Sequence, residues 1–170
     1  YGMGPNKLSD TLGITTTEAS ALIEKYFTAF PNIKKFLDML GRFGKMNGYI
    51  RTFKPYKRKR FFDYWDGRNT PMKELGMIER ASKNTPIQGA SADMTKVALV
   101  KIHNFIQKHN LSEQVKIVMT VHDQIDTICV EKLSKEWKEQ MTKLMEEAAL
   151  IIVTNGLLKA DTNISKTWEK

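Results

Sequence analysis

Apolar positions recur at helical spacing through most of the chain and switch to alternation in two short stretches. Gly2, Gly4, Pro5 and Asn6 punctuate a turn-rich start, and Leu8 to Leu12 allows one or two helical turns. Thr15 to Thr17 offer N-cap oxygens to a helix in which Ala19, Leu22, Ile23, Tyr26 and Phe27 form the apolar stripe. Pro31 ends that helix or opens the next, since proline suits a first helical turn, and Ile33, Phe36, Leu37 and Leu40 mark a second stripe. Gly41, Gly44 and Gly48 are expected to loosen the end of that helix. Tyr49 to Phe53 reads as a short strand, and Lys54 to Trp65 as a loop or irregular hairpin.

Met72 to Lys83 is helical in pattern. Thr85 precedes Pro86, and a residue before proline avoids helical geometry, so a break near Asn84-Thr85 is expected. A new helix then runs from about Gln88 to Lys108, packed through Ala92, Val97, Leu99, Val100, Ile102 and Phe105. Val115, Ile117, Met119 and Val121 alternate with Lys116, Val118, Thr120 and His122, and Ile125 to Val130 follows. This predicts a hairpin with His122-Asp123-Gln124 at its turn. Leu133 to Val153 is a long amphipathic helix ended by Gly156, and Leu157 to Ile164 is expected to return as a last strand. Helices leading to a small antiparallel sheet covered by helices on one face make an α+β fold.

Charge adds a partner to this picture. Lys and Arg number 27 against 19 Asp and Glu, a net charge of +8. That excess suits a polyanion, nucleic acid first and an acidic membrane surface second, or simply a Lys-rich soluble surface. The single cysteine, Cys129, excludes an internal disulfide and fits a reduced, cytoplasmic setting. The longest apolar run, Ala148 to Val153, is far below the roughly 20 residues of a membrane helix. Tyr1-Gly2-Met3-Gly4-Pro5 shows no signal-peptide pattern and reads as a cut edge.

Three constellations could carry chemistry. Val121-His122-Asp123-Gln124 would hold a carboxylate at the tip of an apolar hairpin, where it could bind Mg²⁺ beside substrate phosphates. An ordinary polar turn would also favour Asp there. Asn84-Thr-Pro-Ile-Gln88-Gly-Ala-Ser-Ala-Asp93 combines small residues with amides able to meet the acceptors that every base pair shows in the minor groove. A capped helix start explains it equally. Lys54 to Arg60, flanked by Phe53, Tyr56, Phe61, Phe62, Tyr64 and Trp65, could neutralise phosphates and stack bases, or form a solvated loop over an aromatic cluster. No P-loop, zinc spacing or Ser/His/Asp triad is visible, and His103, His109 and His122 form no ligand pattern.

In this order the pieces resemble the family A DNA polymerases, the bacterial polymerase I type, over nearly the whole chain. Tyr1-Gly2-Met3 is similar to the end of the family's nucleotide-holding fingers helix. Ile23-Glu24-Lys25-Tyr26-Phe27 and Phe30-Pro31 resemble the region after it, and Gly48-Tyr49-Ile50-Arg51-Thr52 the family's Gly-Tyr strand. Ile78-Glu79-Arg80-Ala81 through Asn84-Thr85-Pro86-Ile87-Gln88-Gly89 resembles a helix entry, and Val121-His122-Asp123 the third polymerase motif.

The resemblance implies template-directed addition of deoxynucleotides to a primer 3′ end by two-metal phosphoryl transfer. Asp123 would be a metal-binding palm aspartate, and His122 the residue contacting the primer end. Arg80, Asn84 and Gln88 would hold the template-primer, with Lys57, Arg58, Lys59 and Arg60 as further groups facing DNA. Tyr1 and Gly2 would flank the site of the incoming deoxynucleoside triphosphate. Residues 1–79 would be an incomplete fingers-like portion with a basic loop at 54–65, and residues 80–170 a palm-like portion with the catalytic hairpin at 115–130.

Two departures stand out. Gln124 occupies a position where the family usually has Glu, and Asp126 is a candidate to compensate. Lys54 to Arg60 replaces the usual Gly-Arg-rich turn. The first palm motif, with the other metal aspartate, is not in this sequence. A two-metal clamp needs carboxylates from both, so the chain is expected to be inactive alone and to need an N-terminal polymerase segment. The alternative is a non-catalytic DNA-binding or complementing subunit of a split polymerase. A metal-dependent nuclease is more distant, because further carboxylates are not evident.

Overall fold

The structure, a computed structural model, describes residues 3–168. It divides into two compact units. One comprises the described residues of Tyr1–Thr52 and Lys57–Gln88, the other those of Phe53–Tyr56 and Gly89–Lys170.

In the first unit, α1 spans Pro5–Leu12 and α2 spans Thr16–Ala29. Thr15 caps α2: its hydroxyl accepts from the Glu18 backbone N–H, and the Glu18 carboxylate accepts from the Thr15 N–H. These Thr15 hydrogen bonds hold the exposed Glu18 carboxyl below its usual range, the backbone N–H contributing most. Helix α3 covers Pro31–Asn47 and ends at Gly48, whose left-handed backbone (φ 71) turns the chain into β1, Tyr49–Arg51. The three glycines do not loosen this end. Gly41 and Gly44 lie inside α3, where a Cβ on Gly41 would come within 2.8 Å of Glu79 Cγ and one on Gly44 would overlap the Ser82 side chain. They permit close approach of α3 to the helix carrying Glu79 and Ser82. Gly48 lies under the Trp65 ring, whose Nε1 donates to the Lys45 carbonyl at 2.8 Å.

Strand β1 pairs antiparallel with β2, Lys59–Phe61, with Tyr49 opposite Phe61 and Arg51 opposite Lys59. Leu40, Ile50, Phe62 and Ile78 form the buried core, flanked by Phe36, Trp65 and Leu75.

The expected break at Pro86 does not occur. Helix α4 runs unbroken from Met72 to Lys108 with Pro86 inside it. A proline within a helix forfeits a backbone hydrogen bond and costs about 3 kcal/mol or more. Here Ile78, Ser82 and Pro86, four residues apart on one stripe, are all less than 2% exposed. Burial along that stripe holds the helix together, and local preference yields to tertiary packing.

In the second unit, β3 (Val115–Val121) and β4 (Gln124–Cys129) form the expected hairpin. One face packs on α4 and on α5, Ser134–Ala149. The core combines Ala98, Ile102 and Ile106 of α4 with Val115, Ile125, and the α5 stripe Trp137, Met141, Leu144 and Ala148. Trp137 Nε1 donates to Thr127 Oγ1 at 2.8 Å, tying α5 to β4. The alternation of β3 is interrupted by a bulge between Ile117 and Met119, so Met119 and Val121 pair with Asp126 and Gln124 on the face away from Ile125.

Helix α5 stops four residues before the expected Val153, in turns leading to Gly156. Leu157 to Ile164 forms no strand. This segment is held to α5 by side chains, Thr142 to Thr162 at 2.7 Å and Lys159 to Glu146 at 3.3 Å, and not by a strand edge. The α+β class holds, with two small antiparallel sheets and a helical majority among the described residues.

Candidate functional site

Candidate residues occur in both units. In the second, Val121 and Gln124 are the last paired residues of the β3–β4 hairpin, so His122 and Asp123 alone make the turn. Tight two-residue hairpins need left-handed backbone within the loop. His122 supplies it at φ 55, a conformation that costs a non-glycine residue roughly 1–2 kcal/mol. Both turn side chains are exposed, while neighbouring Ile125 is 5% exposed and anchored in the core. Asp123 therefore projects from a buttressed tip.

Gln124 and Asp126 share a face of β4, as period-two alternation requires. The Gln124 amide donates to Asp126 Oδ1 at 2.7 Å. Asp126 Oδ2 is buried and accepts no hydrogen bond. Gln124 thus brings no charge of its own but is tethered to a carboxylate two residues on. No group of three or more His, Cys, Asp or Glu residues converges to hold a metal among the described residues. Mg²⁺ commonly takes one or two protein carboxylates and fills its shell with water and phosphate oxygens. Asp123, an exposed carboxylate on a fixed turn, fits one such ligand.

The first unit carries the cationic and amide candidates. Arg80, Asn84 and Gln88 follow one another at four-residue steps along α4, two positions out of phase with the buried stripe Ile78, Ser82, Pro86. The unbroken helix places them on one stripe of its surface. Arg80 and Gln88 are exposed and Asn84 is half-buried. Lys57, Arg58, Lys59 and Arg60 are all exposed. Arg60 Nη1 donates to Thr85 Oγ1 at 3.0 Å, linking the basic run to α4. Of the aromatics flanking that run, Phe62 is buried and Trp65 packs on Gly48, so both are structural. Phe61 remains 63% exposed. Arg51 was not evident as a candidate from the linear sequence, because only the strand register places it opposite Lys59. Tyr1 and Gly2 lie outside the described residues.

Among the described residues Glu79 is the most perturbed carboxyl. Hydrogen bonds from Lys45 and then Lys83, each at 2.7 Å, pull it down to about 2. It ties α3 to α4 and is structural. Cys129 is half-buried, and burial pushes its thiol up, away from reactivity. No helix among the described residues is long and apolar enough to cross a membrane.

Comparison with known proteins agrees with the motif order. Residues 1–170 match the profile of DNA polymerase family A. The chain is 34% identical over 168 residues to a DNA polymerase I of Streptococcus pneumoniae serotype 4, covering 99% of this chain and 18% of that protein. It is 31% identical over 169 residues to a DNA polymerase I of Geobacillus stearothermophilus, again 99% of this chain and 18% of the relative. Among solved structures, the POL domain of Pol1 from M. smegmatis, in complex with DNA primer-template and dNTP, superposes with a TM-score of 0.75 at 29% identity. That match covers 87% of this chain and 25% of the other. The chain spans about a fifth of the length of these curated relatives, and it belongs to DNA polymerase family A.

Proposed function

We propose that the chain is the C-terminal fingers and palm part of a template-directed DNA polymerase, which adds deoxynucleotides to a primer 3′ end in the cytoplasm. The observation that carries this reading is the β3–β4 turn. A non-glycine residue is held left-handed there so that an exposed Asp stands at the tip of a core-anchored hairpin. Strain of this kind is kept where the surrounding structure over-determines it, and it clusters at functional sites.

In this reading the primer 3′-hydroxyl attacks the α-phosphate of the incoming nucleotide and pyrophosphate leaves. Asp123 would hold Mg²⁺, which when bound would offset charge on the phosphates. His122, on the same turn, would lie against the primer end. Gln124 would be oriented by Asp126, whose carboxyl lies two residues on from the position where the family's usual Glu is absent. Arg80, Asn84 and Gln88 would hold the duplex near its terminus, the amides meeting minor-groove acceptors common to all base pairs. Lys57 to Arg60 would neutralise phosphates. Tyr1 and Gly2 would flank the incoming nucleotide.

Within this chain Asp123 is a single exposed metal carboxylate, and a clamp on attacking and leaving oxygens needs a second from another palm motif. A polymerase segment carrying that motif would therefore complete the site, and without it this chain would be inactive.

Primer extension with this chain plus such a segment is the test. Asp123→Ala should cost roughly 10²-fold or more, the scale of losing one preorganised electrostatic stabiliser of a transition state. Full activity in the Asp123→Ala complex overturns the assignment.

A further inference from the structure

We propose that the outer face of the β1–β2 hairpin binds unpaired single-stranded DNA by stacking bases on a row of aromatic rings. It rests on DNA binding by this chain and narrows it to one strand form and one surface.

Three rings make the row. Phe43 of α3 meets Tyr49 edge-on, with ring centroids 5.4 Å apart, and Tyr49 meets its cross-strand partner Phe61 at 5.8 Å. Two cations stand over them. Lys59 Nζ is 4.9 Å from the Tyr49 centroid and 5.7 Å from that of Phe61, and the Arg51 guanidinium carbon is 5.7 Å from Tyr49. All come from α3, β1 and β2 of one compact unit. Phe43 is 37% and Phe61 63% exposed.

The opposite side of the hairpin already supplies the packing, through Ile50 and the neighbouring Phe62. The fold therefore does not require large rings on the outer side. Tyr49 itself is half-buried, so the exposed rings of Phe61 and Phe43, with Lys59 and Arg51 beside them, are what meet both halves of a single strand, its bases and its phosphates. A duplex offers only the phosphates, because its bases are stacked on one another. An internal role for the cation–π pairs, simply stiffening the hairpin, makes the opposite prediction about ligand.

The probe is a fluorescently labelled oligodeoxythymidylate, titrated against the 170-residue chain and followed by anisotropy. A strand of equal length lacking bases and a plain duplex serve as controls. The chain should bind the thymidylate strand roughly tenfold or more tighter than the base-free strand, the scale of one stacked base. Phe61→Leu keeps an apolar side chain but removes the ring face. It should weaken thymidylate binding by about tenfold, leave duplex binding unchanged and leave the salt dependence unchanged. Replacing Arg51 and Lys59 with Gln should instead lower the log–log salt slope by roughly 0.7 for each phosphate no longer neutralised.

Circular dichroism melting of each variant separates loss of fold from loss of ligand. Equal binding of the base-free and thymidylate strands overturns the proposal without any variant. So does a Phe61→Leu chain that melts normally and binds as before. Neither result touches the polymerase assignment, which stands on Asp123.

Discussion

Both β-hairpins among the described residues are antiparallel, yet they carry their candidates in different places. Hairpin β1–β2 has three residues per strand and presents cations and rings along the strands themselves. Hairpin β3–β4 has seven and six, and presents its carboxylate at the turn. The difference matches what each is proposed to bind. A phosphate chain is met by many weak interactions, none of which needs exact placement, so short strands suffice. A carboxylate proposed to hold a metal must be aimed. It depends on the whole buried face beneath it, from Val115 through Ile125 to Trp137.

The sharpest way to break this comparison is to hollow out the support of one tip and trim the surface of the other. Ile125 is 5% exposed and one residue beyond Gln124. Ile125→Ala should cost about 2–5 kcal/mol in urea unfolding, as truncation of a buried aliphatic does. Phe61→Leu, at an exposed position, should stay within about 0.5 kcal/mol of the parent. If Ile125→Ala left the midpoint unmoved, the β3–β4 tip would not be core-anchored.

A second substitution probes what stands behind β1–β2. Helix α3 reaches α4 through glycine, and a methyl on Gly44 would overlap Ser82. Gly44→Ala should destabilise the chain by about 1–3 kcal/mol, the usual cost of overpacking. Adding Ser82→Gly should recover part of the loss. At Gly41 the obstacle is Glu79 Cγ, part of a flexible side chain, so Gly41→Ala should cost less. Equal effects at the two positions would mean that helix propensity, not close approach, governs them.

Much of this was legible in the chain. A cap within Thr15 to Thr17, a helix boundary at Pro31 and a hairpin turn containing His122 and Asp123 follow from local chemistry, although Gln124, expected in that turn, pairs with Val121 as the first residue of β4. Three features were not legible. Pro86 signals a break, but the buried stripe through Ile78 and Ser82 overrides it. Leu157 to Ile164 has strand composition, but its partners are α5 side chains. Gly41 and Gly44 look like weak points because the residues they accommodate lie nearly forty positions further on. At the candidate sites the pattern is the same. Asp123 announces itself through its neighbours in sequence. Arg51, and the tether from Gln124 to Asp126, depend on strand register and side-chain geometry.

The smallest expected effect concerns pH and again separates the two units. Glu79 in the first unit is drawn from its ordinary 4.5 to about 2 by Lys45 and Lys83. Its folded-state value lies below its unfolded one. The stabilisation is therefore fully present above about pH 4.5 and is lost as pH falls toward 2. Because the carboxylate is about a third exposed, solvent screens the pairs, and the contribution should be no more than about 1 kcal/mol. Glu79→Gln should unfold more easily than the parent at pH 6 and converge with it near pH 2. In about 1 M salt, where the screening length falls to about 3 Å, the gap at pH 6 should narrow. Near-ultraviolet signals from Trp65 and Trp137 can report the two units separately, once each is assigned with Trp65→Phe and Trp137→Phe. The Glu79→Gln difference should appear in the Trp65 signal. A pH-dependent gap confined to the Trp137 signal would show that the lysine pairs do not stabilise the unit that contains them.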